Sequence, residues 1–187
     1  MGGLWKRSKL QVPVVEGLRP TSDRVRETLF NWLGQDLSGL RCVDAFAGTG
    51  ALGLEAASRG AAEVCCIEAH SGLALGMRRN AERLGASQVR VITGDAIERM
   101  SQLPPAVWDV VFLDPPFGQA QASSAGPGLF EQALSQAVRL LAPQGYVYLE
   151  APKAWTAQDL ALWGLELWRH GKAGAVHYHL LQRAAAS

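Results

Sequence analysis

The chain has 187 residues, 48% of them apolar and 19% charged, with a net charge of +1; this suits one globular core and excludes a disordered, fibrous or uniformly polyanion-coating polypeptide. No long uncharged apolar stretch occurs, and Lys6, Arg7 and Lys9 precede only a short apolar run broken by Pro13 and Glu16, so neither a membrane span nor a signal peptide is expected. Three cysteines, Cys65 and Cys66 adjacent among them, point to core thiols of a cytoplasmic protein and not to a disulfide framework or a metal site.

Residues 1–34 read as a basic N-terminal extension of a single domain spanning 1–187. Within residues 1–30, Lys6, Arg7, Lys9, Arg19, Arg24 and Arg26 stand against Glu16, Asp23 and Glu27, a net +3, while the remaining chain nets −2. One basic end on a near-neutral protein suits a grip on a nucleic-acid backbone, although ordinary arginines on a solvated helix face explain the same residues. Val25, Leu29, Trp32 and Leu33 have helical spacing, so an amphipathic helix over about 22–33 should dock on the sheet, with Arg24 and Arg26 pointing elsewhere.

Val43 and its neighbours form an apolar strand that runs through Asp44, Phe46 and the glycines Gly48, Gly50 and Gly53 into a helix reaching Arg59, with Gly60 as its stop. Glycines here let backbone approach a ligand, and the helix N-terminus beyond them offers unpaired N–H groups. Glu63–Ile67 is a second strand, and the Glu68 that follows stands about 20 residues after Gly48, the place of an acid that binds ribose hydroxyls. Leu73, Met77, Ala81 and Leu84 make the inner stripe of a helix ended by Gly85, and Val89–Ile92 is a third strand leading to Gly94-Asp95-Ala96. Val110–Leu113 is the fourth. After a loop-like segment from Pro115 to Phe130, the stripe Phe130, Leu134, Val138 and Leu141 predicts a helix stopped by Pro143 and Gly145; Gly145–Glu150 is the fifth strand, and Leu165–Gln182 reads as two strands around Gly171–Gly174. The alternation predicts an α/β fold with a doubly wound, mainly parallel sheet that ends in an antiparallel hairpin.

The glycine-rich turn admits two cofactors, a nicotinamide dinucleotide and S-adenosylmethionine. The second is favoured because Asp44, inside the strand, suits a methionine ammonium and would repel a pyrophosphate. Asp95 supplies an acceptor for an adenine amine, and the chain leaves little room for a separate substrate domain. The expected cofactor contacts are Asp44, Phe46, Gly48, Gly50, Glu68, Asp95 and Ala96.

Directly after the fourth strand comes Asp114-Pro115-Pro116-Phe117. Two prolines stop the strand and leave its last carbonyls free to accept hydrogen bonds from a substrate NH2. Asp114 can accept another, and Phe117 offers a face for a planar base. The four residues are the expected catalytic set, for methylation of a flat exocyclic amine.

Gly2-Gly3-Leu4-Trp5-Lys6, the run from Leu18 to Leu33, the run from Asp44 to Ala56, and Asp114 to Phe117 closely resemble, in order, the bacterial 16S rRNA guanine-N2 methyltransferase family, the RsmD-like proteins. The Arg19–Leu33 stretch is the specific part; the other motifs are shared by many methyltransferases. The resemblance implies a class I methyltransferase (Rossmann-like) fold with a small N-terminal extension of short strands and one helix, and S-adenosylmethionine as donor. It also implies transfer to the N2 amine of one guanine, the guanine-966 type, in 16S rRNA of the 30S subunit or an assembly intermediate, by a monomer. Two departures stand out. Family members carry a further basic strand ahead of the glycine pair, where this chain has Met1, so weaker RNA affinity is expected. The acid often found two positions after Glu68 is His70 here, which leaves Glu68 alone on the ribose. Other readings stay open: DNA adenine or another amine as substrate, a more distant NAD-dependent oxidoreductase, or a non-catalytic RNA-binding subunit.

Overall fold

Strands covered on both faces need apolar residues at nearly every position, and Arg41–Asp44 (β1), Glu63–Glu68 (β2) and Trp108–Leu113 (β4) supply them. The computed structural model describes residues 1–6, 8, 10, 22–117 and 128–184; Arg7, Lys9 and Arg19, and ten residues of the segment after Phe117, lie outside these. With Val89–Thr93 (β3), Leu141–Ala151 (β5), Leu165–Ala173 (β6) and Val176–Arg183 (β7), the strands form one seven-stranded sheet in the order β3-β2-β1-β4-β5-β7-β6. β7 inserts antiparallel between β5 and β6, and the other neighbours up to β5 are parallel. The expected doubly wound sheet with a terminal hairpin is therefore present.

Side-chain alternation along the strands separates two cores. On one face Val43, Val111, Leu113 and Leu149 pack with residues of Ala96–Ser101 (α4), Leu129–Leu140 (α5) and Ala157–Ala161 (α6). On the other, Cys42, Val110, Phe112 and Tyr148 meet Asp23–Trp32 (α1), Ala51–Ser58 (α2) and Ser71–Leu84 (α3). Tyr148, Phe112 and Phe30 form an aromatic ladder through this second core, with ring centroids 6.4 and 6.1 Å apart. The expected N-terminal helix docks here: Ser22 caps it by accepting from the Val25 N–H, and the Trp32 ring lies 5.3 Å from that of Tyr178 on β7.

Four local expectations need correction. Among the described residues the extension holds a short 3₁₀ turn, Gly3–Trp5, and no strand. α5 ends at Leu140, and Leu141 already opens β5, so Pro143 and Gly145 lie inside a strand and not beyond a helix; the inner stripe is Phe130, Ala133, Leu134, Ala137 and Leu140, with Val138 only half-buried. In the hairpin, Ala173 pairs with Val176, so the turn is Gly174-Ala175, and Gly171 lies within β6, where a Cβ would sit 2.3 Å from the Tyr178 ring. Arg26 does not point away: its guanidinium contacts Asp23 and the buried Glu55 of α2.

Two short helices were not foreseen, because five or six residues are too few to display a 3.6-residue period. Each rests on its cap: Asp95 accepts from the Glu98 N–H at the start of α4, and Thr156 with Asp159 forms a reciprocal capping box for α6. Among the described residues no helix is long and apolar enough to cross a membrane.

Candidate active site

A cavity of about 650 Å³ opens at the carboxyl ends of the parallel strands, the place where open α/β sheets bind ligands. Its walls come from successive strand ends. β1 and its turn give Asp44, Phe46 and Gly48, β2 gives Glu68, the residues after β3 give Asp95 and Ala96, β4 leads into Asp114–Phe117, and β5 gives Glu150. Ser22 and Val25 from the start of α1, and Ala173 and Val176 flanking the hairpin turn, line it too. All the sequence-predicted cofactor and catalytic residues thus meet in one cavity, except Gly50.

Gly50 serves packing instead. It caps α2 at φ +79°, and a Cβ would meet Met77 Cγ of α3 at 2.7 Å. Gly53, one helical turn on, has a related duty: a Cβ there would strike Cys66 Sγ at 2.4 Å and crowd Asp44. The bare glycine lets α2 lie on the sheet closely enough for its N–H to donate to Asp44 Oδ2 at 2.8 Å.

Asp44 is 2% exposed. Burial pushes its carboxyl up to about 7; the Gly53 N–H works against that shift and the neighbouring Glu68 adds to it. Because the folded value is raised, the free protein holds this proton more tightly than the unfolded chain, and loses stability as pH rises from the ordinary carboxylate range through about 7. A cationic ligand group beside Asp44 favours the ionised form. Binding such a ligand at pH 6 should therefore release close to one proton, and affinity should fall up to about tenfold per pH unit below 7. Calorimetric titration of S-adenosylhomocysteine in two buffers of different ionisation enthalpy measures this release. Asp44→Asn should abolish it, and equal release by both proteins would place the proton elsewhere.

Glu68 ties the glycine-rich loop to the end of β2. Its Oε2 accepts from the Gly48 N–H at 2.7 Å and its Oε1 from the His70 N–H, also at 2.7 Å. The expected spacing between Gly48 and Glu68 is thus a direct hydrogen bond. His70, in place of a second acid, caps α3 by accepting from the Leu73 N–H at Nδ1. One oxygen of Asp95 is committed to its helix cap.

At the end of β4, Asp114 is half-buried, Pro115 buried and Pro116 exposed. Phe117 packs against the α5-side core, its ring 6.3 Å from that of Phe130. Sequence reasoning missed Glu150, 5% exposed, which accepts from the Tyr148 hydroxyl at 2.9 Å. Of the basic candidates, Lys6 and Arg24 are exposed and Arg26 is held at Glu55.

Among the described residues the cavity carries five carboxylates and no lysine, arginine or histidine. A pyrophosphate would find no countercharge there, whereas a ligand bearing ammonium, sulfonium, hydroxyl and amine groups would find acceptors. The residues therefore fit S-adenosylmethionine and not a nicotinamide dinucleotide.

A family model described as conserved hypothetical protein 95 matches residues 1–182. Ribosomal RNA small subunit methyltransferase D of Escherichia coli strain K12 is 39% identical over 99% of this chain and 89% of its own length. The protein of that name from Haemophilus influenzae is 38% identical over 97% and 92%. Among solved structures, Escherichia coli yhhF, described as a candidate methyltransferase, superposes with a TM-score of 0.80 at 34% identity, covering 99% of this chain and 97% of that one.

Proposed function

Since the chain belongs to the family of the ribosomal RNA small subunit methyltransferase D proteins and has a class I methyltransferase fold, we propose that it methylates the exocyclic N2 amine of one guanine in 16S rRNA, of the guanine-966 type, using S-adenosylmethionine. The observation that carries this reading is the cavity joining the Gly48–Glu68 loop to Asp114–Phe117, lined among the described residues by carboxylates and no cation. The substrate is the 30S subunit or an assembly intermediate, and the enzyme acts as a cytoplasmic monomer.

When bound, S-adenosylmethionine would supply an electrophilic methyl group on a sulfonium, whose methyl–sulfur bond breaks as the new N–C bond forms and whose sulfur is left as a neutral thioether. Asp44 would pair with its ammonium, Glu68 with ribose hydroxyls, and Asp95 with Ala96 would border the adenine, while Phe46 and Gly48 close the same wall. The substrate amine sets the harder problem. Its lone pair is delocalised into the purine, so it becomes nucleophilic only when the nitrogen pyramidalises, and positioning does most of the work. Asp114 and the Pro115 carbonyl each accept one N2 hydrogen and hold the amine out of conjugation. As the N–C bond forms, the nitrogen turns cationic and strongly acidic, and Asp114 or water takes the proton; a strong base is not needed. A base inside a helix cannot present N2 in line, so the guanine must be unstacked, with Phe117 replacing a lost stacking neighbour. Lys6 and Arg24 would hold the flanking phosphates, with Arg7, Lys9 and Arg19 as further candidates outside the described residues.

Incubation with methyl-labelled S-adenosylmethionine and either 30S particles, naked 16S rRNA or DNA tests this function. Label should enter particle rRNA and be recovered after digestion as N2-methylguanosine. Label in DNA, or calorimetric binding of NAD in preference to S-adenosylhomocysteine, would overturn the reading.

A further inference from the structure

The sheet order divides the cavity into two halves. Cofactor candidates sit at the ends of β1, β2 and β3, whereas Asp114 and Glu150 sit at the ends of the adjacent strands β4 and β5. β4 and β5 run parallel with Leu113 opposite Leu149, so Asp114, just past the end of β4, and Glu150 on β5 are the next positions after that pair, about one strand spacing apart. Both line the cavity, and both lie close enough to act on the Tyr148 phenol.

Glu150 has no part in the mechanism above, yet burying a carboxylate is costly unless it meets hydrogen-bond donors. Tyr148 gives it one, its hydroxyl donating to Oε1 at 2.9 Å. Burial, with Glu150 alongside, keeps that phenol protonated, so Tyr148 remains a donor and fixes the carboxylate's orientation. A carboxylate held in this way is an acceptor facing the space next to the amine that Asp114 receives.

Resting on the guanine reading above, we propose that Glu150 accepts the N1–H of the target guanine while Asp114 holds its N2 amine, so that two neighbouring carboxylates select guanine by its Watson–Crick edge. N1–H and one N2–H of guanine are adjacent, parallel donors. Adenine and 2-aminopurine carry a lone pair at N1, which would face the Glu150 carboxylate acceptor to acceptor. Sites built to bond a substrate N–H reject analogues lacking it by about 10⁴-fold, because the acceptor then faces a lone pair where the substrate has a donor. Asp114 alone cannot give this selectivity, since 2-aminopurine presents the same N2 amine. Glu150 is thus a specificity residue for the base, and the Tyr148 hydroxyl is its positioning group.

The test uses 30S particles reconstituted with 16S rRNA carrying guanine or 2-aminopurine at the methylated position. The wild-type enzyme should prefer guanine by about 10³-fold or more in kcat/KM. Glu150→Gln keeps an acceptor for Tyr148 and adds an amide donor that matches the N1 lone pair. Its guanine to 2-aminopurine ratio should fall at least about a hundredfold, with activity on 2-aminopurine rising in absolute terms and S-adenosylhomocysteine affinity staying within a few-fold. If wild type methylates guanine N2 and the variant slows both substrates equally, Glu150 is structural and the inference fails while the proposed function stands. Should the variant not fold, the wild-type comparison decides alone, because equal rates on the two particles overturn the inference. Absence of any guanine N2 product would instead bring down the proposed function, and this inference with it.

Discussion

Asp114→Ala is expected to lower methyl transfer to 30S particles by about 10³-fold or more while leaving S-adenosylhomocysteine affinity within a few-fold. The size follows from two roles lost together, orientation of the amine and acceptance of its proton: general-base contributions alone reach about 10²–10⁴-fold, and misplacing a reacting atom by about 1 Å costs about 10²-fold. The small effect on cofactor affinity follows from the layout of the cavity, because Asp114 lies beyond β4 whereas the cofactor candidates lie at the ends of β1, β2 and β3. Asp114→Asn should fall between, since an amide oxygen can still accept an N2 hydrogen but cannot take a proton. Single-turnover transfer with saturating particles, set beside calorimetry on the same variants, separates these quantities. Turnover of Asp114→Ala within tenfold of wild type would show that the Asp-Pro-Pro-Phe turn is structural, and would favour a non-catalytic RNA-binding role.

The half of the site formed by β1 and β2 was legible in the sequence because its signals are local. A glycine-rich turn after an apolar strand, and an acid at the end of the next strand, sit at separations set by the βαβ unit itself. The same locality revealed Asp114–Phe117, where two prolines announce the strand end. Glu150 ends a strand as plainly as Glu68 does, but a strand-end glutamate is solvated by default. Only the pairing of β4 with β5, separated in sequence by α5, brings it beside Asp114. His70 drew notice as a missing acid, and only the structure shows its ring capping α3. Gly50 and Gly53 were read as ligand-facing, although their neighbours Met77 and Cys66 come from elements further along the chain. Passage from α5 into β5 without a break hid the boundary at Leu141, because Leu140 and Leu141 are equally apolar and equally buried. The basic residues of α1 divide for a comparable reason: Arg24 is exposed, and Arg26 is claimed by a glutamate 29 positions away.

That glutamate should make the largest single contribution of any charged side chain to stability. Glu55 is 2% exposed, and three separate parts of the chain converge on it. Its Oε1 accepts from the Gly2 N–H at 2.8 Å and from Arg59 Nε and Nη2 at 2.9 and 2.8 Å, and its Oε2 lies 3.5 Å from Arg26 Nε. The arginine side chains are themselves only 10% and 16% exposed, and the Arg59 guanidinium lies over the Phe30 ring at 4.8 Å. Glu55→Ala leaves two largely buried cations without this partner, a loss of about 3–5 kcal/mol. At about 2–4 °C per kcal/mol for a domain of this size, the unfolding midpoint should drop by about 10 °C. Glu55→Gln, which keeps an acceptor but no charge, should lose about half as much. Because Glu55 is not among the cavity-lining residues, S-adenosylhomocysteine affinity of the folded fraction should stay within a few-fold. The KM for 30S particles should rise, since Gly2 and α1, which carries the exposed Arg24, lose their common anchor. Thermal unfolding followed by circular dichroism tests the first expectation, and a shift below about 2 °C for Glu55→Ala would show that the two arginines find other partners.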